Sequence, residues 1–262
     1  APFTQNSSLD KEQHCLPKFH VECWMGLVFI NLSTNPKPLG ERLAGLEDYL
    51  KIYEPQRFTQ GYESGEEHWQ ANWKLAIENA MESYHLFKVH KDTLETVTPS
   101  KQAYYVAGDQ NWSLGGGQMA AKPGKVMKFL MGDYPEAHDH YLLISLPPSF
   151  VGILTYDSFD WIQILPTGEE SCVVRAAGMA QKAGRQTDKS TKEFVSAFFA
   201  EDKQICERIQ QGMHSKKGKG GQLVEMEKIL IDFRQFLANR LFYSTPHDFS
   251  QSAQAQRFLQ DP

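Results

Sequence analysis

No Cys-x-x-Cys, Cys-x-His or Cys-x-x-His pair occurs in this chain, although it has four cysteines: Cys15, Cys23, Cys172 and Cys206. That absence excludes a zinc ribbon, a thioredoxin-like site and a cysteine-ligated cluster built from these residues. Scattered single cysteines read as free thiols, the state expected in a reducing cytoplasm. No apolar run approaches the roughly 18–20 residues that span a bilayer. There is no excess of basic charge: the net charge is -5, which gives no reason to expect nucleic acid or an anionic membrane as partner. No internal repeat and no long low-complexity segment is present. The first residues, APFTQNSSLDKEQ, lack the basic-then-apolar order of a signal peptide and lack an initiator Met, so the expectation is a piece of a longer chain. The hydrophobic fraction of 41% is ordinary for a soluble globular protein and sufficient for a sizeable core.

What is present alternates between sheet and helix signals. Residues 21–32, VECWMGLVFINL, read as a strand or hairpin arm, broken by NPKPLGE. Residues 39–53 have helical spacing of Leu and Tyr, and the loosely alternating run before Asn72 reads as a strand entering a helix over 73–91. Residues 101–135, with SLGGGQMAAKPGK, read as a Gly-rich, irregular and mobile loop. Residues 140–180 hold three or four strand-like runs with turn signals at PPS, YDSFD and PTGEE. Long amphipathic helices are expected over 191–213 and 221–242, joined by a basic turn, HSKKGKGG, that lacks the spacing of a phosphate-binding loop. The pattern predicts an α+β fold, an antiparallel sheet packed with long helices, in one domain.

The chemistry concentrates in NWKLAIENAMESYHLFKVH, residues 72–90. Glu78, Glu82, Tyr84, His85 and His90 crowd one otherwise apolar helix. A carboxylate turned toward a core is costly without a partner. His85 and His90 lie about 140° apart on an ideal helix, so both reach one ion only if the helix ends or distorts between them. Oxygen-activating iron sites pair two histidines with one carboxylate on one face. The best distant carboxylates lie in FFAEDKQICERIQQG: Asp202, with Glu201 and Glu207 as competitors that spacing does not separate. His138 and His140, in EAHDHY, are a rival pair that reads as surface or as the mouth of a pocket.

The run N-W-K-L-x-x-E-N-x-x-E-x-Y-H-x-x-x-x-H resembles the iron-binding helix of the catalytic α-subunits of Rieske non-haem iron oxygenases. E-D-x-x-I-C-E-R-I-Q-x-G is similar to the segment that supplies the family's aspartate ligand, roughly 110 residues further on. W-M-G-L-V-F-I-N-L, 24–32, is similar to the strand pair that links the family's two domains. The resemblance implies a helix-grip (Bet v1-like, SRPBCC) fold, with Fe(2+) held by His85, His90 and Asp202. It implies that Glu82 is the bridging acid between the iron site and a cluster-ligating histidine of a neighbouring subunit. That position is most often Asp; Glu is one methylene longer and resembles the carnitine/choline monooxygenase-like branch, which favours quaternary-amine substrates. Tyr84 belongs to the motif, while Asn72, Trp73 and Glu78 read as structural.

The resemblance further implies a cytoplasmic oxygenase. It would use O2 to hydroxylate, dihydroxylate or demethylate a small aromatic or quaternary-amine substrate, with electrons from a reductase or ferredoxin, as a homotrimer when full length. The [2Fe–2S] Rieske cluster would belong to a missing N-terminal domain, leaving 1–20 as a linker remnant, 21–245 as the catalytic domain and 246–262 as a tail. Tyr156, Trp161, Phe198, Phe199 and Phe233 are the candidates to line the substrate pocket. Two rival readings are a metal-free helix-grip carrier of small molecules or lipids and an inactive oxygenase remnant.

Overall fold

The computed structural model describes residues 15–122, 128, 136–181, 189–218 and 220–242. The tail 246–262, most of the linker remnant and the end of the Gly-rich segment lie outside the described residues. By contacts the chain divides into two compact units, Ala1–Arg42 and Leu43–Pro262.

The first unit contains β1 (His20–Trp24) and β2 (Leu27–Asn31), an antiparallel hairpin turned by Met25 and Gly26 at positive φ, followed by α1 (Leu39–Arg42). The helix expected over 39–53 is divided into α1, α2 (Leu46–Leu50) and a 3-10 turn, with Gly45 at φ 82 before α2. β3 (Gln60–Trp69) leads into α3 (Trp73–Met81), α4 (Leu86–Val89) and α5 (Leu94–Val97). Six strands follow: β4 (Ala103–Gly108), β5 (Ser113–Gln118), β6 (His140–Leu146), β7 (Phe150–Leu154), β8 (Ser158–Gly168) and β9 (Ser171–Ala180). The chain closes with α6 (Lys189–Met213) and α7 (Lys228–Leu241), the latter beginning seven residues later than its periodicity suggested.

β3 to β9 form one seven-stranded antiparallel sheet in the order β3-β9-β8-β7-β6-β5-β4. α3 crosses β6 to β9, α6 packs on α3, and α7 covers β4 and β5. Between sheet and helices lies the core: Ile77, Met81, Val151, Ile164, Val174, Cys206, Phe233 and Leu237 are among its members. Together this is the α+β helix-grip arrangement expected. Among the described residues no helix is long and apolar enough to cross a membrane.

The segment SLGGGQ is the largest departure from the sequence reading. Three consecutive glycines argue for a loop, yet they form β5, fully laddered between β4 and β6. Their lack of side chains is what the neighbouring strand requires. A Cβ on Gly117 would lie 2.6 Å from the hydroxyl of Tyr141, so the Tyr141 ring occupies that space. Tyr141 Oη in turn meets Ser83 Oγ at 3.1 Å. Backbone pairing on both edges outweighs the weak strand propensity of glycine.

α7 is pinned to β4 by Asp232, whose carboxylate accepts the Tyr105 hydroxyl at 3.0 Å. Burial, reinforced by the charge of Asp109 and opposed by the Tyr105 hydrogen bond, pushes Asp232 up from 3.8 to about 6. The raised value means the folded state disfavours the carboxylate. The penalty is absent below the unfolded value near 3.8 and grows as pH rises through about 6. Asp232→Asn, whose amide oxygen still accepts from Tyr105, should therefore raise Tm by about 2–5 °C at pH 8 and leave it unchanged at pH 4, as read by calorimetry.

Candidate metal centre

α3 starts where Asn72 caps it, its side chain accepting the backbone N–H of Lys74 at 2.9 Å. Ala76, Ile77 and Met81 form the buried stripe that seats the helix on the sheet. The helix stops at Met81, where Glu82 takes an extended conformation (φ -127, ψ 165). Glu82 then turns its carboxylate back onto the chain, accepting the backbone N–H groups of Tyr84 and His85. One turn of helix follows, α4, with His85 and His90 as its two flanking residues. The single helix expected over 73–91 is thus broken, and the break removes the 140° separation: the two imidazole rings stand 5.1 Å apart.

α6 brings in the carboxylate. It runs beside α3 and is tied to it by Glu207 accepting from Gln70 N, by Gln210 accepting from Asn72 N, and by the Asn79 amide donating to Asp202 Oδ1 at 2.7 Å. Asp202 Oδ1 lies 2.9 Å from His90 Nε2 and 3.6 Å from His85 Nε2. One donor atom from each of His85, His90 and Asp202 falls within 4.8 Å of the others. The outer nitrogens are also engaged: His85 Nδ1 meets Glu82 Oε1 at 2.5 Å and His90 Nδ1 meets Glu201 Oε2 at 2.7 Å. Thr93 Oγ1 donates to the same Glu201 oxygen at 2.6 Å. A carboxylate on each Nδ1–H fixes the tautomer and turns both Nε2 lone pairs toward Asp202. Two imidazole nitrogens and one carboxylate oxygen on one side fit a divalent iron-type ion.

The electrostatics follow from this packing. Burial, the largest influence on His85, disfavours its imidazolium, but hydrogen bonds to Asp202 and Glu82 and their charges outweigh it and raise the group to about 9. His90, fully buried, is also raised: burial and the charge of His85 oppose its imidazolium, and the hydrogen bonds to Asp202 and Glu201 with the charge of Asp202 outweigh them. Asp202 is held below the usual carboxylate range: burial pushes it up, and the two histidines more than reverse that.

The three carboxylates that spacing left unseparated have distinct placements. Asp202 faces the histidines, Glu201 holds His90 from behind, and Glu207 bonds the backbone before α3. Sequence reasoning missed Glu201, Thr93 and Asn79 in these supporting contacts; an asparagine on an otherwise apolar helix face was the available signal. Glu78 is paired with Arg234 at 3.0 Å and Trp73 packs edge-on to Phe233 at 6.0 Å, as structural readings require. Tyr84 is partly exposed and rests on Phe87.

Of the expected pocket residues, the structure brings only Phe198 into ring contact with the triad, 6.4 Å from His90 and edge-on. Phe199 stacks on Phe198 and packs against the core. Phe233 is completely buried and packs edge-on to Trp73. Trp161 lies on the opposite sheet face. Ile162 and Ile164 point to the helices, so Trp161 points away, stacks on Phe150 and lines a cleft of about 490 Å³ with Glu63, Glu66 and Arg175. Tyr156 lies in the β7–β8 connection, bonded to Arg57 at 2.9 Å and against the ring of His138. His140 bonds Tyr104, so the rival histidine pair is divided between two partners.

A family model described as the ring hydroxylating alpha subunit (catalytic domain) matches residues 56–242. The glycine betaine monooxygenase oxygenase subunit of Chromohalobacter salexigens is 25% identical over 228 residues, covering 72% of this chain and 51% of that protein. The carnitine monooxygenase oxygenase subunit of Acinetobacter baumannii is 28% identical over 111 residues, covering 41% of this chain and 29% of that protein. The chain thus spans about half the length, or less, of these curated relatives. Among solved structures, a quaternary ammonium Rieske monooxygenase superposes with a TM-score of 0.69 at 20% identity over 89% of this chain and 64% of that one. Naphthalene 1,2-dioxygenase with indole bound in its active site gives 0.69 at 14% identity over 98% and 73%.

Two outcomes follow from the geometry. Because His85 remains protonated up to about pH 9 without metal, ion binding must expel a proton; metal affinity should rise with pH up to about 9, and calorimetry in buffers of different ionisation enthalpy should show the release. Glu201→Ala should weaken metal binding by about 10–100-fold, as read by metal titration.

Proposed function

Since this chain belongs to the ring-hydroxylating α-subunit catalytic-domain family, we propose that it is the oxygen-activating part of a Rieske-type oxygenase acting on a small organic substrate. The observation that carries the reading is the convergence of His85, His90 and Asp202, with each histidine backed by its own carboxylate. Bound Fe(II) would supply the one-electron chemistry that activates O2 beside the substrate.

The chain's residues do the rest. His85 and His90 would hold the ion through Nε2, and Asp202 through a carboxylate oxygen. Glu82 and Glu201 hold the Nδ1 protons and keep both rings in one orientation. Asn79 spends its amide on Asp202 Oδ1 and restrains the carboxylate's rotation. Phe198, edge-on to His90, keeps water off that side of the centre. The side chain of Glu82 is almost buried, both oxygens engaged by His85 and Tyr84, at an edge of the site where Tyr84 and Phe87 are partly exposed. In this reading that edge is where a neighbouring subunit of a trimer would engage, and the [2Fe–2S] cluster, fed by a reductase or ferredoxin, lies on sequence outside these 262 residues.

The names of the sequence relatives support quaternary-amine substrates over aromatic ones, and so does glutamate at position 82. The outcome would be hydroxylation leading to demethylation or C–N cleavage rather than ring dihydroxylation. The metal-free carrier reading leaves a fully buried histidine between two carboxylates without a purpose. A buried polar cluster of that kind is costly unless something completes it.

Anaerobic Fe(II) titration tests the proposal. The chain should bind about one iron per protomer, and His85→Ala or Asp202→Ala should weaken binding by about 100-fold or more with the fold retained by circular dichroism. Equal iron content in wild type and both variants would sink it.

A further inference from the structure

The sheet carries a second polar group on its helix-facing side, away from the metal ligands. Along β8 the ladder is uninterrupted from Ser158 to Pro166, pairing Asp160 with Gly178, Ile162 with Ala176 and Ile164 with Val174. Ile162 and Ile164 contribute to the core beneath the helices, so Asp160, two residues earlier, projects from the same face. That face is the one across which α3 carries the metal-site loop. On the far side of β9, Tyr62 of β3 also pairs with Gly178.

The two side chains meet above Gly178. A Cβ at that position would lie 2.6 Å from the Tyr62 ring and 2.8 Å from Asp160 Oδ1, so only glycine permits the convergence. The Tyr62 hydroxyl donates to Asp160 Oδ1, and Ser158 Oγ donates to Oδ2 at 2.7 Å. Among the described residues no lysine, arginine or histidine pairs with Asp160. The floor beside it is low: next to Asp160, β9 presents Ala176, Gly178 and Ala180 on this face.

Each carboxylate oxygen thus accepts one hydroxyl, and among the described residues no cation pairs with the group. A half-buried anion in that condition is stabilised by a cation that brings no donors of its own. A quaternary ammonium group is that cation: it has no N–H, and it is recognised by charge and by the faces of aromatic rings.

We propose that Asp160, oriented by Tyr62 and Ser158 over Gly178, is the specificity-determining group that receives the cationic head of a quaternary-ammonium substrate. The assignment rests on the oxygenase reading and adds to it the residue that selects the substrate's charge.

Choline and its neutral carbon isostere, 3,3-dimethylbutan-1-ol, separate charge from shape. Binding of each is measured by calorimetry to the anaerobic Fe(II)-loaded chain, with iron content determined on the same samples. Wild type should prefer choline by about tenfold or more. Asp160→Asn should abolish the preference while changing affinity for the alcohol by less than about twofold, and Asp160→Glu should retain it. A wild type without preference, or a preference that survives Asp160→Asn, overturns the assignment. Iron bound at one per protomer in that case leaves the oxygenase reading standing; failure to bind iron removes both.

Discussion

The packing of α6 along α3 is the constraint on which the functional centre depends. Neither helix holds a complete site. α3 and the turn after it supply two imidazoles, and α6 supplies the carboxylate that makes them a set. Three polar contacts, Glu207 to Gln70, Gln210 to Asn72 and Asn79 to Asp202, fix the sliding position of one helix against the other. A shift of one helical turn, about 5.4 Å, would present Cys206 or Phe198 where Asp202 stands. The buried apolar faces give the two helices affinity for each other and for the sheet; the polar contacts select the register.

The sheet serves this arrangement through space as much as through contact. Gly117 makes room for Tyr141, and Tyr141 reaches Ser83, the residue after Glu82. Gly178 makes room for Tyr62 and Asp160. In both places a missing side chain on one strand lets a larger one on its neighbour take a defined position. Read as composition, these glycines suggest disorder, and the strand SLGGGQ was accordingly expected to be a loop.

The site itself was legible to an unusual degree because its residues are chemically conspicuous. Histidines and carboxylates on an apolar helix are expensive, and their spacing resembles one known ligand pattern. The helix break at Glu82 was legible only as a requirement, since two histidines five apart cannot share an ion on a straight helix. The supporting residues were less visible. Glu201 looked like one of three equivalent carboxylates, and its role depends on the side of α6 it occupies relative to His90. The pocket aromatics were hardest: Trp161 and Phe233 are apolar residues in apolar surroundings, and only the pleat of β8 and the depth of α7 in the core assign them to places away from the triad.

By itself the sequence determined the elements' broad identity, the absence of a Cys-x-His or Cys-x-x-Cys pair and the candidate ligand side chains that the structure brings together, because those follow from local periodicity and residue chemistry. The tertiary structure decided which carboxylate meets the histidines, which stands behind them, and which face of the sheet each aromatic occupies. These depend on the register between α3 and α6 and on strand pairing, and both are set by contacts between residues about a hundred positions apart. A distance of that kind leaves no periodic mark in the chain, since either neighbour alone satisfies its own local pattern.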